Sequence, residues 1–393
     1  MPGPLETVRV VELGLWIAAP AAAGILADWG ADVVKIEPPA GDPARSFQAM
    51  LGEAMPTNPP FELDNRSKRG IVLDLTTDDG QQAATELIAG ADVFVTNLRL
   101  PALRRLGFDP DTILPDHPRL VYALITGHGM TGPDADRAAY DVGAYWARSG
   151  IASLLTPPGG NPPFQRGGMG DHAVAMSCAA GICAALVARD RTGEGQLVSS
   201  SLYRQGAYTI GFDMNTYLLW GQQVPVATHE TMANPAFNVF TAADGRKFWL
   251  VGLEADRHWP SIARAAGHPE WAADERYANA GARAARAPEV IAMLDAAFAA
   301  SPYAEWEETF NADPNVFWAP VNTMENMLAD PQFWAAGGVV EVPGPEAATP
   351  MVNTPIDFHG TPAGPRWLAP TLGEHTAEVL REIGAPGGAP AVH

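Results

Sequence analysis

The sequence predicts an α/β fold, a parallel sheet with crossover helices followed by a smaller α+β region, and three observations carry that reading. In the first half, short β-branched runs alternate with helical patterns. Two of those helical patterns end in the same turn, Gly30-Ala31-Asp32 and Gly90-Ala91-Asp92, each leading into the next strand. Near residue 225 the texture changes to a hairpin pattern and then to helices rich in Ala, Trp and Arg.

The expected strands are Val8 to Leu13, Asp32 to Ile36, Ile71 to Leu75, Asp92 to Thr96 and Leu120 to Ile125. Helices are expected over Ala18 to Trp29 and Gly80 to Ile88, the glycine after each fitting a left-handed C′ position. A long helical pattern from Asp171 to Arg189 stops at Thr192-Gly193, and another runs from about Ser200 to Leu219. Between Phe237 and Leu253, Asp244-Gly245 separates two apolar runs, a strong hairpin signal. Ala255 to Ala300 reads as helical, Val340 to Pro370 as a Pro- and Gly-rich return, and Leu372 to Ile383 as a last amphipathic helix.

At 393 residues the chain is long enough for two domains, and 47% hydrophobic residues supply ample core. No 18-residue apolar run is free of charge, so no membrane is expected. A net charge of −20 argues against nucleic acid as partner, because such binding needs a surface that displaces counterions. A phosphate-bearing ligand must then be met by a local basic site, and Arg66, Lys68 and Arg69 form one cluster in a chain whose only other lysines are Lys35 and Lys247. Cys178 and Cys183 match neither a redox pair nor a metal site and read as buried small residues; no metal is expected. The segment Leu13 to Leu26 superficially resembles a signal peptide, but Glu6 and Glu12 stand where a basic region belongs. It reads as a strand and helix of the mature fold, in a cytoplasmic protein.

Gly127-His128-Gly129-Met130-Thr131-Gly132 matches a dinucleotide fingerprint after a strand, yet Pro133-Asp134 follows where a helix should pack on the sheet. It reads as a loop, and His128 as a loop residue. Arg166-Gly167-Gly168-Met169-Gly170-Asp171-His172 is more informative, since a glycine-rich turn delivers a carboxylate to the start of a long apolar helix. Asp171 is either an N-cap of that helix or a reactive group held ionised at its positive end, with N–H donors beside it for a developing oxyanion.

An ordered set of segments spanning nearly the whole chain resembles the family III CoA-transferases, which include formyl-CoA:oxalate and carnitine CoA-transferases and α-methylacyl-CoA racemase. The segments are Val10-Val11-Glu12-Leu13 with Ala18-Ala19-Pro20, Gly30 to Pro38 with Gly41-Asp42-Pro43-Ala44-Arg45, Asn65 to Gly70, Asp92 to Asn97, Leu106-Gly107-Phe108, the glycine loop with Pro133, Tyr140-Asp141, Gly170-Asp171, Thr192 to Gln196, Asp244-Gly245 and Leu372 to Thr376. The resemblance implies a Rossmann-like parallel-sheet large domain over 1–220, a small α+β domain over 225–325, a segment 330–393 completing the large domain, and an interlocked homodimer.

By the same resemblance the substrates are acyl-CoA and a free carboxylic acid, and Asp171 is the nucleophile that forms an acyl anhydride and then a CoA thioester. Trp16, Ile17, Arg45, Lys68, Asn97, Leu98 and Arg105 match positions that line the CoA site, the cations suiting its phosphates. Ile17 stands where the oxalate transferase has glutamine, which argues against oxalate as acceptor. The racemases carry a histidine immediately before the aspartate matching Asp141; Tyr140 is there instead, a poor base at neutral pH. Glu254 matches an active-site glutamate of the racemases, and equally fits an exposed helix start. Transfer is the leading reading. A 2-methylacyl-CoA epimerase and a silent acyl-CoA-binding homologue are the alternatives.

Overall fold

The computed structural model describes residues 3–50 and 57–385; the end of the expected return segment, 386–393, lies outside them. The chain divides into two compact units. One takes residues up to Leu155, Pro163–Gln223 and everything from Gln332 onward; the other takes Thr156–Pro162 and Val224–Pro331.

The first unit is built on six parallel strands, β1 (Arg9–Leu13), β2 (Asp32–Glu37), β3 (Arg69–Val72), β4 (Val93–Thr96), β5 (Val121–Thr126) and β6 (Leu197–Ser201), in the order β3-β2-β1-β4-β5-β6. Successive side chains point to opposite faces, so Val10, Val33, Val93 and Ala123 enter one core while Val11, Val34, Phe94 and Tyr122 enter the other. Chain order reverses between β1 and β4, the switch point outside whose carboxyl ends ligands bind in open sheets of this type.

On the first face lie the helices α1 (Ala18–Asp28) and α2 (Met169–Thr192). The alanines of α1 let α2 approach closely, burying Val174, Cys178 and Ile182. α2 is long and apolar enough to cross a bilayer, but here that apolarity serves a packed core. It stops where glycine permits, Gly193 taking φ +79°. The stretch Leu13 to Leu26 is the end of β1 and most of α1, as expected. The two Gly-Ala-Asp turns differ: Gly30 adopts φ +105°, whereas Gly90 closes its helix at φ −89° and is not left-handed. Gly127 to Gly132 is a loop after β5 with no helix behind it, and His128 sits in that loop.

β6 replaces the start of the expected helix from Ser200, which is instead two helices, Leu202–Thr209 and Gly211–Trp220. The expected strand Ile71 to Leu75 begins two residues earlier, at Arg69. In the return segment an antiparallel pair forms, β10 (Val339–Val342) with β11 (Thr349–Val352). The second unit holds the predicted hairpin, β7 (Phe237–Thr241) and β8 (Lys247–Val251), turning at Gly245 with φ +83°, and a third strand β9 (Trp318–Pro320) beside β8. Its core is aromatic, with Phe240, Phe248, Phe298 and Phe310 packed edge to face.

Candidate active site

The loop leaving β1 is held by two side chains from other elements. Asn97, at the end of β4, accepts from Leu15 N at 3.0 Å and donates to Leu15 O at 2.7 Å. Asp42 accepts from Trp16 N at 3.0 Å. Trp16 is thereby fixed at φ +66°, a conformation that costs a bulky residue free energy and that functional loops tolerate when neighbours over-determine it. Its ring meets Phe47 and the edge of Tyr140 at 5.6 and 5.9 Å. Tyr140 is mostly exposed. Leu98, half-buried, follows with its N–H on the Thr96 hydroxyl.

Asp171 is not the N-cap of α2. That position belongs to Gly168, left-handed at φ +76°, and Asp171 is the third residue of the helix. The cap comes from Asp141, whose Oδ2 accepts from Gly170 N at 3.0 Å and Asp171 N at 3.4 Å while Oδ1 accepts from Gln165 Nε2 at 2.7 Å. These two N–H groups are therefore engaged and are not free for an oxyanion. Gly170 makes the arrangement possible, because a Cβ there would collide with the Tyr145 ring and with Asp141 Oδ1. A π-helical turn, Val142–Ala147, follows Asp141 and presents Tyr145 at that point.

The carboxylate of Asp171 has no hydrogen-bond partner among the described residues. Burial, followed by the negative charge of Asp141, pushes its pKa up to about 7, against a smaller opposing effect of His172. His172 Nε2 lies 3.0 Å from Asp64 Oδ1, and that bond raises the imidazole above its ordinary value. Asp64 is buried at the end of the helix Pro59–Asn65, and burial raises its own pKa despite the histidine. His172 and Asp64 both line a cavity of about 650 Å³, together with Ile17, Phe47, Leu63 and Met351.

A sheet of order 3-2-1-4-5-6 with a lone carboxylate next to a cavity-lining histidine in sequence leaves the chemistry open, and comparison with known proteins decides the family. The family model described as CoA-transferase family III matches residues 5–376. The chain belongs to CoA-transferase family III. Among curated relatives, a (R)-2-hydroxy-4-methylpentanoate CoA-transferase of Clostridioides difficile is 31% identical over 97% of this chain and 95% of its own. A cinnamoyl-CoA:phenyllactate CoA-transferase of Clostridium sporogenes is 33% identical over 96% of this chain and 92% of its own. A CAIB/BAIF family protein from Brucella suis superposes with a TM-score of 0.84 at 30% identity, covering 98% of this chain and all of that one. The protein is an enzyme of the CoA-transferase type, with CoA thioesters as substrates.

In this CoA-transferase the expected cations divide sharply. Lys68 is fully buried and its ammonium donates to Glu12 Oε2 at 2.6 Å, Pro20 O at 2.8 Å and Asn65 Oδ1 at 3.0 Å, so it has no donor left for a phosphate. Lys35 shares Glu12 from the other side at 2.8 Å and reaches Asp42 at 2.9 Å. Burial works against both ammonium groups; for Lys35 the carboxylates win and its pKa rises, while Lys68 falls to about 8, with Lys35 among the charges opposing it. Arg66 is buried against Asp28, and Arg69 pairs with Asp32, Glu378 and Glu382. The cluster Arg66, Lys68 and Arg69 is thus a set of internal ties, not a phosphate patch, since each charge already has its partner.

Arg45 forms a two-point pair with Glu37 at 2.8 and 2.6 Å and lies over the Phe61 ring. Arg105 is exposed on the helix Leu100–Leu106 with no ion pair among the described residues, and so are Arg104 and Arg99, the last just past Asn97. Glu254 belongs to the other unit, where it is exposed at the start of the helix Ala255–Ala265; Arg257 at 3.0 Å holds its carboxyl below the ordinary range. Cys178 is buried and Cys183 half-buried, both free, with burial pushing the Cys178 thiol up to about 12.

The pairing of Asp64 with His172 has no signature in the sequence. The two are 108 residues apart, and only the packing of the helix Pro59–Asn65 beside α1 brings one to the other.

Proposed function

We propose that this enzyme moves CoA from an acyl-CoA to a free carboxylic acid, with Asp171 as covalent nucleophile. The observation that carries the proposal is a carboxylate in the first turn of α2 that has no hydrogen-bond partner among the described residues, adjoins the cavity-lining His172 in sequence and is half ionised near neutrality. Its oxygen attacks the thioester carbon, the C–S bond breaks, and CoA leaves as thiolate with a mixed anhydride on Asp171. The thiolate attacks the aspartyl carbonyl, releasing the donor acid and leaving an aspartyl-CoA thioester. The acceptor carboxylate expels the thiolate again, and the thiolate finally attacks the acceptor's carbonyl, regenerating Asp171. No proton is consumed, and each step exchanges one activated acyl bond for another of similar energy.

Asp141 supports this role by fixing the first turn of α2 and keeping Asp171 basic enough to attack. Arg99, Arg104 and Arg105 are the unpaired cations suited to CoA phosphates at the end of β4. Trp16, Ile17, Asn97 and Leu98 shape the loop beneath the thioester, with Lys68 and Arg45 bracing it from within. The named activities of the two clostridial relatives point in the same direction. We also infer a homodimer, because the helix Gly211–Trp220 buries none of its residues while Phe212 and Leu219 are 80% and 89% exposed.

Acyl-CoA supplied without acceptor should leave an adduct on Asp171 that hydroxylamine converts to a hydroxamate, located by peptide mass spectrometry. Asp171→Ala should abolish both label and transfer while the protein still folds. An adduct on any other residue, or transfer at the wild-type rate by Asp171→Asn, would sink the mechanism.

A further inference from the structure

The cavity lined by His172, the neighbour of Asp171 in sequence, has a wall whose chemistry bears on the acid. Its lining comes from Ile17 at the loop after β1, Phe47, Leu63 on the helix Pro59–Asn65, and Met351 on β11. Prolines 59, 60 and 350 add rigid apolar surface without N–H donors. The far wall is secured to the core, since Arg66 donates to the Val352 carbonyl at 2.8 Å while gripping Asp28.

The lining's charged groups are few and unevenly distributed. Among the described lining residues Glu62 and Asp64 are acidic, His172 is the one group able to carry positive charge, and there is neither arginine nor lysine. Asp64 is buried and bonded to His172, so the imidazole is held against a carboxylate that favours its charged form. Gly168 leaves room for the ring, which lies 3.3 Å from where a Cβ would stand, with Ile17 Cδ1 at 3.5 Å on the same side. Among the described lining residues His172 is thus the side chain that can meet a carboxylate with positive charge, while Ile17, Phe47, Leu63 and Met351 offer apolar surface to the rest of the molecule.

We propose that this cavity takes the acyl group of an apolar monocarboxylic acid, branched or aromatic, with its carboxylate on His172, and that it rejects dicarboxylates. The proposal rests on the transfer reading above for its link to catalysis. Its physical basis is the wall itself. A second carboxylate would be stripped of water among Phe47, Leu63 and Met351, with no lysine or arginine among the described lining residues to meet it, and Glu62 would repel it. An apolar chain gains from leaving water in the same place.

The test is direct binding to the full-length enzyme, measured by calorimetric titration with 3-phenylpropanoate, 4-methylpentanoate, succinate and glutarate. The two monocarboxylates should bind at least about tenfold more tightly than either dicarboxylate. Met351→Lys places a cation in the wall and should narrow that gap by improving glutarate binding, and His172→Gln should weaken all four acids. Equal or tighter binding of a dicarboxylate to the wild type, or an unchanged preference in Met351→Lys, would overturn the assignment. Failure of the covalent mechanism would show separately, as absence of a hydroxamate on Asp171 when 3-phenylpropanoyl-CoA is supplied.

Discussion

Replacing Asp171 by asparagine removes the ionisation and little else, so it isolates what the site does to that carboxyl. Its pKa is raised from 3.8 to about 7, first by burial and then by Asp141. Between those pH values the unfolded chain has released the proton while the folded chain keeps it. The folded state binds more protons there, so wild-type stability falls as pH rises through this window and levels off above about 7. At 1.36 kcal/mol for each pH unit the loss amounts to at most about 4 kcal/mol. Asparagine has no such loss. Urea unfolding of both proteins from pH 3.5 to 8.5 should give equal stabilities at the acid end and a variant more stable by up to about 4 kcal/mol at the alkaline end. The same ionisation should appear in kinetics, with wild-type kcat/KM falling about tenfold per pH unit below about 7. A stability difference that does not change with pH, or a variant less stable at pH 8, would refute the reasoning from burial to reactivity.

Asp141→Asn removes the second cause of that shift, so the acid limb of kcat/KM should move to lower pH, and an unmoved limb would dissociate the two carboxylates. Lys68→Met leaves Glu12 facing Lys35 with half its partners gone and should destabilise the fold by about 3–5 kcal/mol in denaturant titrations. Should it instead fold normally and only raise the KM for acyl-CoA, Lys68 is a ligand-binding residue after all. Arg105→Ala should raise the KM for acyl-CoA with little change in kcat, as for a contact made equally in ground and transition states; an unaffected KM would exclude it from the CoA site.

The parallel sheet was legible because its strands are buried on both faces and so read as β-branched runs, Asp32 to Ile36 above all. β6 escaped because it is an edge strand of sequence Leu-Val-Ser-Ser-Ser, with polar residues that mimic the start of a helix. β10 and β11 hid in a stretch whose prolines signal a loop, and β11 itself contains Pro350. For the candidate site, glycines 168 and 170 were legible as a special helix start, since glycine allows the left-handed entry at 168 and the close approach of Asp141 at 170. The true cap could not be read from the sequence. Asp141 lies 30 residues upstream, and a capping residue usually sits immediately before its helix. The cations misled for a related reason: charge counts describe composition, and nothing in Arg66-Ser67-Lys68-Arg69 shows that Glu12 and Asp28 wait inside the fold.

The cross-link of Glu12 with Lys35 and Lys68 has a further effect on how the enzyme meets ionic strength. Its atoms are fully enclosed, beyond the reach of mobile counterions, so added salt does not screen it. The bonds of Arg69 to Glu378 and Glu382 are at the surface, where roughly 0.15 M salt already shortens electrostatic range to about 8 Å. A chain carrying −20 also repels itself over its whole exterior, and salt relieves that repulsion. The last helix, Thr376–Glu382, then loses part of what Arg69 contributes in brine and relies on buried Val379 and Leu380 and on the Thr376 hydroxyl bonded to Val72 N, while the strands gathered around Glu12 hold.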